Sequence, residues 1–190
     1  LSRELVGVFS EFRRKHPRIQ LNLHDRLPSE QLEALEKKDL DIGFIGVAPD
    51  RIPDSLSVTP WRKEQLLAFL PEGHVMAGES GIRLSDLADE PFVMISTRAA
   101  PAFTNLLRGM CHEAGFRPRI VQEAARAQAV AAMTVAGTGV AILPESLNRI
   151  TGNGIPLRPS RKWATTITHC VAHQSELSEP AALFLAGFQS

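Results

Sequence analysis

A serine, a threonine and an arginine follow one another at Ser96-Thr97-Arg98, after an apolar run that predicts a buried strand and before a helix predicted to begin at Pro101. Two hydroxyls, a guanidinium and the amides of a helix N-terminus would meet there, which suits a ligand carboxylate. The alternative is that Arg98 points into solvent and that Ser96 or Thr97 only caps the helix. Phe103, further into the helix, could form an apolar wall of this site or lie in the core. The cluster is the leading candidate for binding an anionic small molecule.

Other polar groups do not form a catalytic or metal site in the sequence. The turn Gly137-Thr138-Gly139 joins a helix to a strand, whereas phosphate-binding loops run from strand to helix. His169 and His173 would lie roughly 13 Å apart along one strand, too far to share a metal ion. Arg126 and Gln128 open a later helix, and solvent-facing positions are favoured over a ligand role for both. We therefore expect no catalytic residue, no metal and no cofactor, and a chain that is not an enzyme.

The composition limits the partners of the chain. In its 190 residues, 21 lysines and arginines balance 21 aspartates and glutamates, so the formal net charge is zero. A nucleic-acid backbone attracts a basic field, so any DNA contact would come from residues outside this chain. Cys111 and Cys170 are far apart and lack CxxC spacing, which indicates unpaired cysteines in a reducing cytoplasm. No apolar run is long enough to cross a membrane. A cytoplasmic protein without membrane contact is expected.

Apolar periodicity predicts four elements in the first part of the chain. They are a helix that contains Leu5 and Phe12 and ends near 15–17, a strand over 19–23, a helix capped by Ser29 and a buried strand over 41–46. The α-β-α-β order favours a largely parallel sheet. A parallel lobe normally begins with a strand that feeds its first helix, and Leu1 already lies at the start of that helix. The first strand of the lobe, and a loop facing the cleft, are therefore expected to be missing from this chain.

The remaining apolar runs predict a second unit and a returning tail. The run Gln65–Leu70 is stopped at Pro71–His74, which we interpret as a crossing between lobes. The later elements are a short helix over 84–87, strands over 92–95, 120–121 and 140–143, helices over 101–114 and 128–136, a strand over 166–171 and a helix from about Ser178. We expect an α/β fold of two Rossmann-like lobes with a hinge and a ligand cleft between them. Lobe I is predicted at 1–72 and 144–190, and lobe II is the inserted segment 73–143.

In this order the elements resemble the effector-binding domain of LysR-type transcriptional regulators along essentially the full chain. The resemblance is carried by Ile19-Gln20-Leu21, Leu40-Asp41-Ile42-Gly43, Leu84-Ser85-Asp86-Leu87 before Pro91-Phe92, and the segment from Met133 to Pro144. Each motif alone is common, but their joint order is fairly specific. Within the family the chain is most similar to regulators that respond to benzoate or muconate.

The resemblance implies a fold similar to type 2 periplasmic binding proteins, ligand-tuned transcription and assembly into a homodimer or homotetramer. It also implies DNA binding by a winged helix-turn-helix upstream of this chain. It places a small-molecule inducer pocket at Pro28, Ser29, Ile45, Gly46, Ser96, Thr97, Arg98, Pro101, Ala102, Phe103 and Ile167. Pro28 and Gly46 stand where muconate-responsive relatives have a threonine and an arginine, so the sequence departs from their pattern at two positions.

The leading hypothesis is the inducer-sensing domain of a bacterial LysR-type regulator that binds a small, carboxylated and possibly aromatic-derived effector. A second hypothesis is a transport binding protein of similar fold, which would carry an export signal. A third is an enzyme on the same scaffold, such as a prephenate dehydratase. The Thr-Arg-Phe signature of that enzyme is partly present at Thr97-Arg98, with Ala99 in place of the phenylalanine.

Overall fold

The structure, a computed structural model, describes residues 3–160 and 164–188. The helices are α1 (Arg3–Lys15), α2 (Pro28–Glu36), α3 (Pro101–Glu113), α4 (Ala127–Val135), α5 (Asn148–Thr151) and α6 (Glu179–Phe188). The strands are β1 (Ile42–Ile45), β2 (Leu56–Phe69), β3 (Pro91–Ile95), β4 (Arg119–Ala124), β5 (Ala141–Pro144), β6 (Gly154–Pro156) and β7 (Thr166–Gln174). Short 3₁₀ turns occupy Leu84–Leu87 and Glu145–Leu147.

Strand β2 belongs to two layers of the molecule. Its first part, 56–65, pairs antiparallel with β7, and its last part, 66–69, pairs antiparallel with β5 and β6. We call the strands β1, β7 and 56–65 of β2 the first sheet. The second sheet consists of 66–69 of β2 with β5 and β6, together with the pair β3 and β4, which a bridge between Phe92 and Val140 joins to it. The partners change at Leu66, whose amide donates to the carbonyl of Thr165 at 2.7 Å. This change comes before the crossing predicted at Pro71–His74.

The expectation of a largely parallel sheet is wrong for the first sheet. Its order is β1-β7-β2, and both pairings are antiparallel. Because β2 runs out of this sheet and β7 runs back into it, the two strands must point in opposite directions. The sequence also missed the first part of β2, since Pro60 and the polar residues Arg62, Lys63 and Glu64 interrupt its apolar alternation.

The strand predicted at 19–23 does not form. Residues 20–27 have no regular secondary structure, and no strand among the described residues pairs with them. Leu23 is 61% exposed, so the alternation of Ile19, Leu21 and Leu23 does not mark a buried face. A strand depends on a hydrogen-bonded neighbour, which this segment lacks within the described chain.

The second sheet contains the parallel pairing that the sequence predicted. Strand β3 pairs parallel with β4, and Phe92 forms a parallel bridge to Val140, just before β5. Gly139 lets the chain approach β3, because a Cβ at this position would lie 2.3 Å from the carbonyl oxygen of Pro91. Gly137 has a φ of +86°, which suits glycine at the end of α4. The Gly137–Gly139 turn is therefore a structural connection.

Two apolar clusters hold the sheets and helices together. The larger cluster joins the apolar end of β2 to β3, β5, α3 and α4, and the smaller lies between α2 and the first sheet. Helices α1 and α6 pack through the rings of Phe9 and Phe12 on Phe184, with centroids 5.7 and 5.1 Å apart. Both cysteines are free and buried. None of the helices in the described ranges combines the length and apolar character needed to cross a bilayer.

Candidate ligand-binding cleft

Two of the predicted site segments are in direct contact. The amide and the hydroxyl of Ser29 both lie within hydrogen-bonding distance of the carbonyl oxygen of Ala99, at 3.4 and 3.3 Å. Ala99 follows Arg98, so the start of α2 lies against the polar turn that follows β3. The structure thus brings Pro28 and Ser29 to the Ser96–Arg98 cluster, 70 residues further along the chain.

Ser29 is not the N-cap that the sequence predicted. Leu27 occupies the N-cap position and Pro28 the first helical position. The amide of Leu27 donates to the carboxylate of Glu30 at 2.8 Å, which satisfies one of the amides at this end of the helix. With proline at its first position, α2 begins two residues earlier than a cap at Ser29 would allow. This shift leaves the Ser29 hydroxyl available for Ala99.

The turn between β3 and α3 is held on both sides. The amide of Ser96 donates to the carbonyl of Ala124 at 2.9 Å, and the carbonyl of Ser96 accepts from the amides of Ala99 and Ala100 at 3.0 and 3.2 Å. The hydroxyl of Thr104 is fully buried and lies 3.1 and 3.0 Å from the carbonyls of Ile95 and Ala100. These bonds fix the backbone that carries the predicted anion site.

The predicted site side chains differ in exposure. Thr97, Arg98 and Pro101 are exposed, Ser96 and Ala102 are half-buried, and Phe103 is buried. Ala100 is the N-cap of α3, and no side chain among the described residues caps this helix end. Neither Ser96 nor Thr97 therefore has the capping role considered from the sequence. The backbone amides in the first turn of α3 are therefore available to another hydrogen-bond acceptor.

Two of the predicted site residues, Phe103 and Ile167, lie in the apolar core. Both are buried in the larger apolar cluster, and Leu27 and Val47 pack against that cluster as partly buried neighbours. These two neighbours flank α2 and β1, so the cluster reaches the place where both sheets meet. Phe103 consequently has the core position that the sequence left open.

Ile45 and Gly46 occupy the end of β1 but differ in surroundings. The Ile45 side chain is buried in the smaller cluster with residues such as Leu35 and Leu56, apart from the cluster that holds Ile167. A Cβ added at Gly46 would have no neighbour within 4 Å among the described residues. The structure therefore brings the backbone of Gly46, and not the side chain of Ile45, to open space.

An ion pair that the sequence did not predict joins the segment before α2 to the segment before α4. Nη1 of Arg126 lies 2.8 Å from Oδ1 of Asp25, across 101 residues of chain. The side chains are 49% and 82% exposed. Arg126 was expected to face solvent, and no local pattern in the sequence links it to Asp25.

A buried carboxylate near the change of partners in β2 is a second feature that the sequence missed. The Glu64 side chain is only 6% exposed, and it accepts hydrogen bonds from Arg62 at 2.9 Å, from Nε2 of His169 at 2.6 Å and from the amide of Ser146. Burial raises the pKa of Glu64, but the hydrogen bonds from His169 and Ser146 outweigh it and lower the pKa to about 2. The only signal in the sequence was a polar run in front of the apolar end of β2.

No group of three metal-ligating side chains is found within residues 3–160 and 164–188. His169 instead binds Glu64, and the Nδ1 atom of His173 lies 2.7 Å from the carbonyl oxygen of Gln174.

A family model described as the LysR substrate binding domain matches residues 2–189. The chain belongs to this family. Among curated proteins, it is 27% identical over 176 residues to the HTH-type transcriptional regulator AlsR of Bacillus subtilis, an alignment that covers 93% of this chain and 58% of AlsR. It is 25% identical over 149 residues to the regulator BenM of Acinetobacter baylyi, covering 77% of this chain and 48% of BenM. The LysR domain thus spans about half the length of the curated regulators it matches.

Two solved structures show the fold of this LysR domain. The effector binding domain of QuiR in complex with shikimate superposes with a TM-score of 0.86 at 15% identity, covering 98% of this chain and 89% of that one. The BenM effector binding domain with its effector benzoate gives a TM-score of 0.77 at 21% identity, covering 97% and 84%. The predicted two-lobed α/β fold of the type 2 periplasmic-binding-protein kind is confirmed. The relatives are named transcriptional regulators, which confirms the prediction that the chain is not an enzyme.

Proposed function

We propose that this domain is the inducer-sensing part of a LysR-type transcriptional regulator and binds a small carboxylate between two lobes. The observation that carries the proposal is the contact of Ser29 with Ala99. It sets the start of α2 against the turn that leads into α3, and Arg98 in that turn is exposed. The N-terminus of α3, which lacks a side-chain cap, and a guanidinium both favour an anion.

The proposed lobes follow from the change of partners along β2. The division into lobe I (1–72 and 144–190) and lobe II (73–143) keeps its two crossings, but the pairing of 66–69 with β5 and β6 moves the proposed outgoing border to Gln65-Leu66 and the returning border to Thr165-Thr166. The bond from Leu66 to Thr165 puts the returning crossing beside the outgoing one. Two adjacent crossing strands are a suitable hinge.

The proposed ligand is a carboxylic acid, possibly derived from an aromatic compound. The relatives with shikimate and benzoate in their structures both hold carboxylic acids. The proposed contacts are Pro28, Ser29, Ile45, Gly46, Ser96, Thr97, Arg98, Pro101, Ala102, Phe103 and Ile167. A place in the benzoate- and muconate-responsive group is a finer proposal, which BenM supports at 25% identity.

We propose that effector binding regulates transcription. The relatives AlsR and XapR are named HTH-type regulators, and the alignments with this domain cover 58% and 60% of their length. A winged helix-turn-helix outside this chain would bind the DNA, in keeping with the zero net charge of the domain. We propose a cytoplasmic protein that self-associates as a dimer or tetramer. An effector that binds the closed lobes more tightly than the open ones would shift that equilibrium and so change how the paired DNA-binding domains are presented.

A thermal-shift experiment tests the ligand proposal. Benzoate, shikimate and cis,cis-muconate are each added to the 190-residue chain, with benzamide as an uncharged control. At about 100 times Kd, a specific ligand stabilises a protein by ~2.7 kcal/mol, or roughly 5–10 °C for a domain of this size. Arg98→Ala should abolish most of the shift, whereas Glu33→Ala on the exposed side of α2 should leave it unchanged. An equal loss in both variants, or an equal shift with benzamide, would contradict the carboxylate site.

A further inference from the structure

Two contacts join the proposed lobes at the mouth of the cleft. On one side they involve residues 25–29, which include the start of α2, and on the other side the turns that follow β3 and β4. Ser29 binds the carbonyl of Ala99, and Asp25 pairs with Arg126. The turns lie side by side, because the amide of Ser96 donates to the carbonyl of Ala124, two residues before Arg126. The two contacts therefore close the same edge of the cleft.

The contact near the hinge is of a different kind. There the buried carboxylate of Glu64 binds the amide of Ser146, which follows β5 in the second sheet. A buried charge-assisted bond is costly to break, whereas an exposed ion pair shifts an equilibrium by no more than about fivefold. The bond near the hinge is therefore stronger than the ion pair at the mouth, which is weak enough to break and re-form.

We propose that Asp25 and Arg126 form a latch that holds the mouth of the cleft shut in the ligand-free domain. The inference rests on the two-lobe division proposed above and assigns Arg126 a role in regulating access to the site. The latch keeps the closed arrangement populated without a ligand, so an effector needs less of its binding energy to close the lobes. Since both side chains are largely exposed, its strength decreases as salt rises.

The latch is tested by measuring the distance between the lobes with paired spin labels and no ligand. The labels are placed at Glu36→Cys on α2 and Asn105→Cys on α3, both exposed positions. The native cysteines react poorly, because burial raises the pKa of Cys111 to about 11 and also raises the pKa of Cys170. Distance distributions are compared for the parent, Asp25→Asn, Arg126→Gln and the charge-swapped double variant Asp25→Arg with Arg126→Asp.

We expect each single variant to raise the open-to-closed ratio by up to about fivefold, and the charge-swapped variant to restore the parent distribution. Salt at 1 M should have the same effect on the parent as either single variant. The matched control is Glu123→Gln, which removes an exposed ion pair to Arg108 within lobe II and should change nothing.

Two negative outcomes are distinguishable. If the open and closed populations exist but do not respond to Asp25→Asn or Arg126→Gln, the latch is refuted and the two-lobe motion stands. If every variant gives one narrow distance, at low and high salt alike, the lobes do not move, and both the latch and the proposed sensing mechanism fail.

Discussion

The side-chain carboxylate of Glu64 accepts a hydrogen bond from the backbone amide of Ser146, which lies 82 residues further along the chain. Glu64 belongs to the part of β2 that pairs with β7, and Ser146 follows β5 in the second sheet. His169 on β7 and Arg62 on β2 complete the set of donors. One buried charge therefore connects the two sheets at the point where β2 passes between them.

We predict that this carboxylate makes the stability of the domain depend on acid pH. The pKa of Glu64 is lowered from 4.5 to about 2 in the folded chain, so the ionised carboxylate stabilises the fold above pH 4.5 and this contribution is lost as the pH falls toward 2. Glu64→Gln should lower the free energy of unfolding by about 1.5–3 kcal/mol at pH 7. Urea denaturation at pH 7, 4.5 and 3 should show this difference shrinking below pH 4.5.

Glu33→Gln is the control for that experiment, because the Glu33 side chain is 73% exposed in its pair with Lys37. It should unfold like the parent at each pH to within a few tenths of a kcal/mol. A difference between parent and Glu64→Gln that stays constant down to pH 3 would contradict the lowered pKa.

The buried hydroxyl of Thr104 should matter more than that of Thr134. Thr104 holds the turn before α3 through the carbonyls of Ile95 and Ala100, whereas Thr134 only bonds back to Val130 within α4. Thr104→Val should cost about 1 kcal/mol and reduce the benzoate-induced thermal shift, while Thr134→Val should leave that shift unchanged. If both variants bind benzoate as the parent does, the turn does not depend on the hydroxyl.

Replacing Gly139 should be among the most damaging single changes in the second sheet. An alanine Cβ there would lie 2.3 Å from the carbonyl oxygen of Pro91, so the chain must move away from β3. We expect Gly139→Ala to lower the unfolding free energy by more than about 2 kcal/mol in urea denaturation. Gly109→Ala, within α3 and with no neighbour within 4 Å among the described residues, should instead stabilise the domain by up to ~1 kcal/mol. Similar effects of the two changes would refute the close approach.

The open space at Gly46 should accept an arginine. Because an added Cβ meets no described atom within 4 Å, Gly46→Arg should fold like the parent. A guanidinium at the cleft should increase the affinity for cis,cis-muconate by roughly tenfold or more, because it would add one charge-assisted hydrogen bond. Isothermal titration calorimetry measures the change in affinity. Gly46→Gln is the control, because it adds a long polar side chain without a charge. Equal affinities for the two variants would place this position away from the ligand.

The elements with strong local signals were predictable from the sequence. Helices α1 and α3 have a clear apolar period, Gly115 and Gly137 end their helices with positive φ, and β3 and β5 are short apolar runs. The polar half of β2 was not predictable, since its stabilisation comes from pairing with a strand about 100 residues away. The antiparallel first sheet was missed for the same reason.

The candidate site likewise contains features that the local sequence predicts and features that depend on the fold. The Ser96–Arg98 cluster and Phe103 stand out in the sequence, because polar residues after an apolar run and before a helix have a local signature. The pairs Asp25–Arg126 and Glu64–Ser146 join segments far apart in the chain, and only the fold brings them together.

The position of β7 has a consequence for how the chain is synthesised. Strands β1 and β2 do not pair with each other, and in the described chain each completes the first sheet only through β7, which lies between them. Strand β7 is synthesised only after residues 70–165 have followed β2, so the hydrogen-bonding edges of β1 and β2 that pair with it stay open until then. Unpaired strand edges of this kind can form hydrogen bonds with other chains and so lead to aggregation. Slow translation of the segment between β2 and β7 should therefore increase aggregation, and a chaperone that shields the nascent edges of β1 and β2 should relieve it.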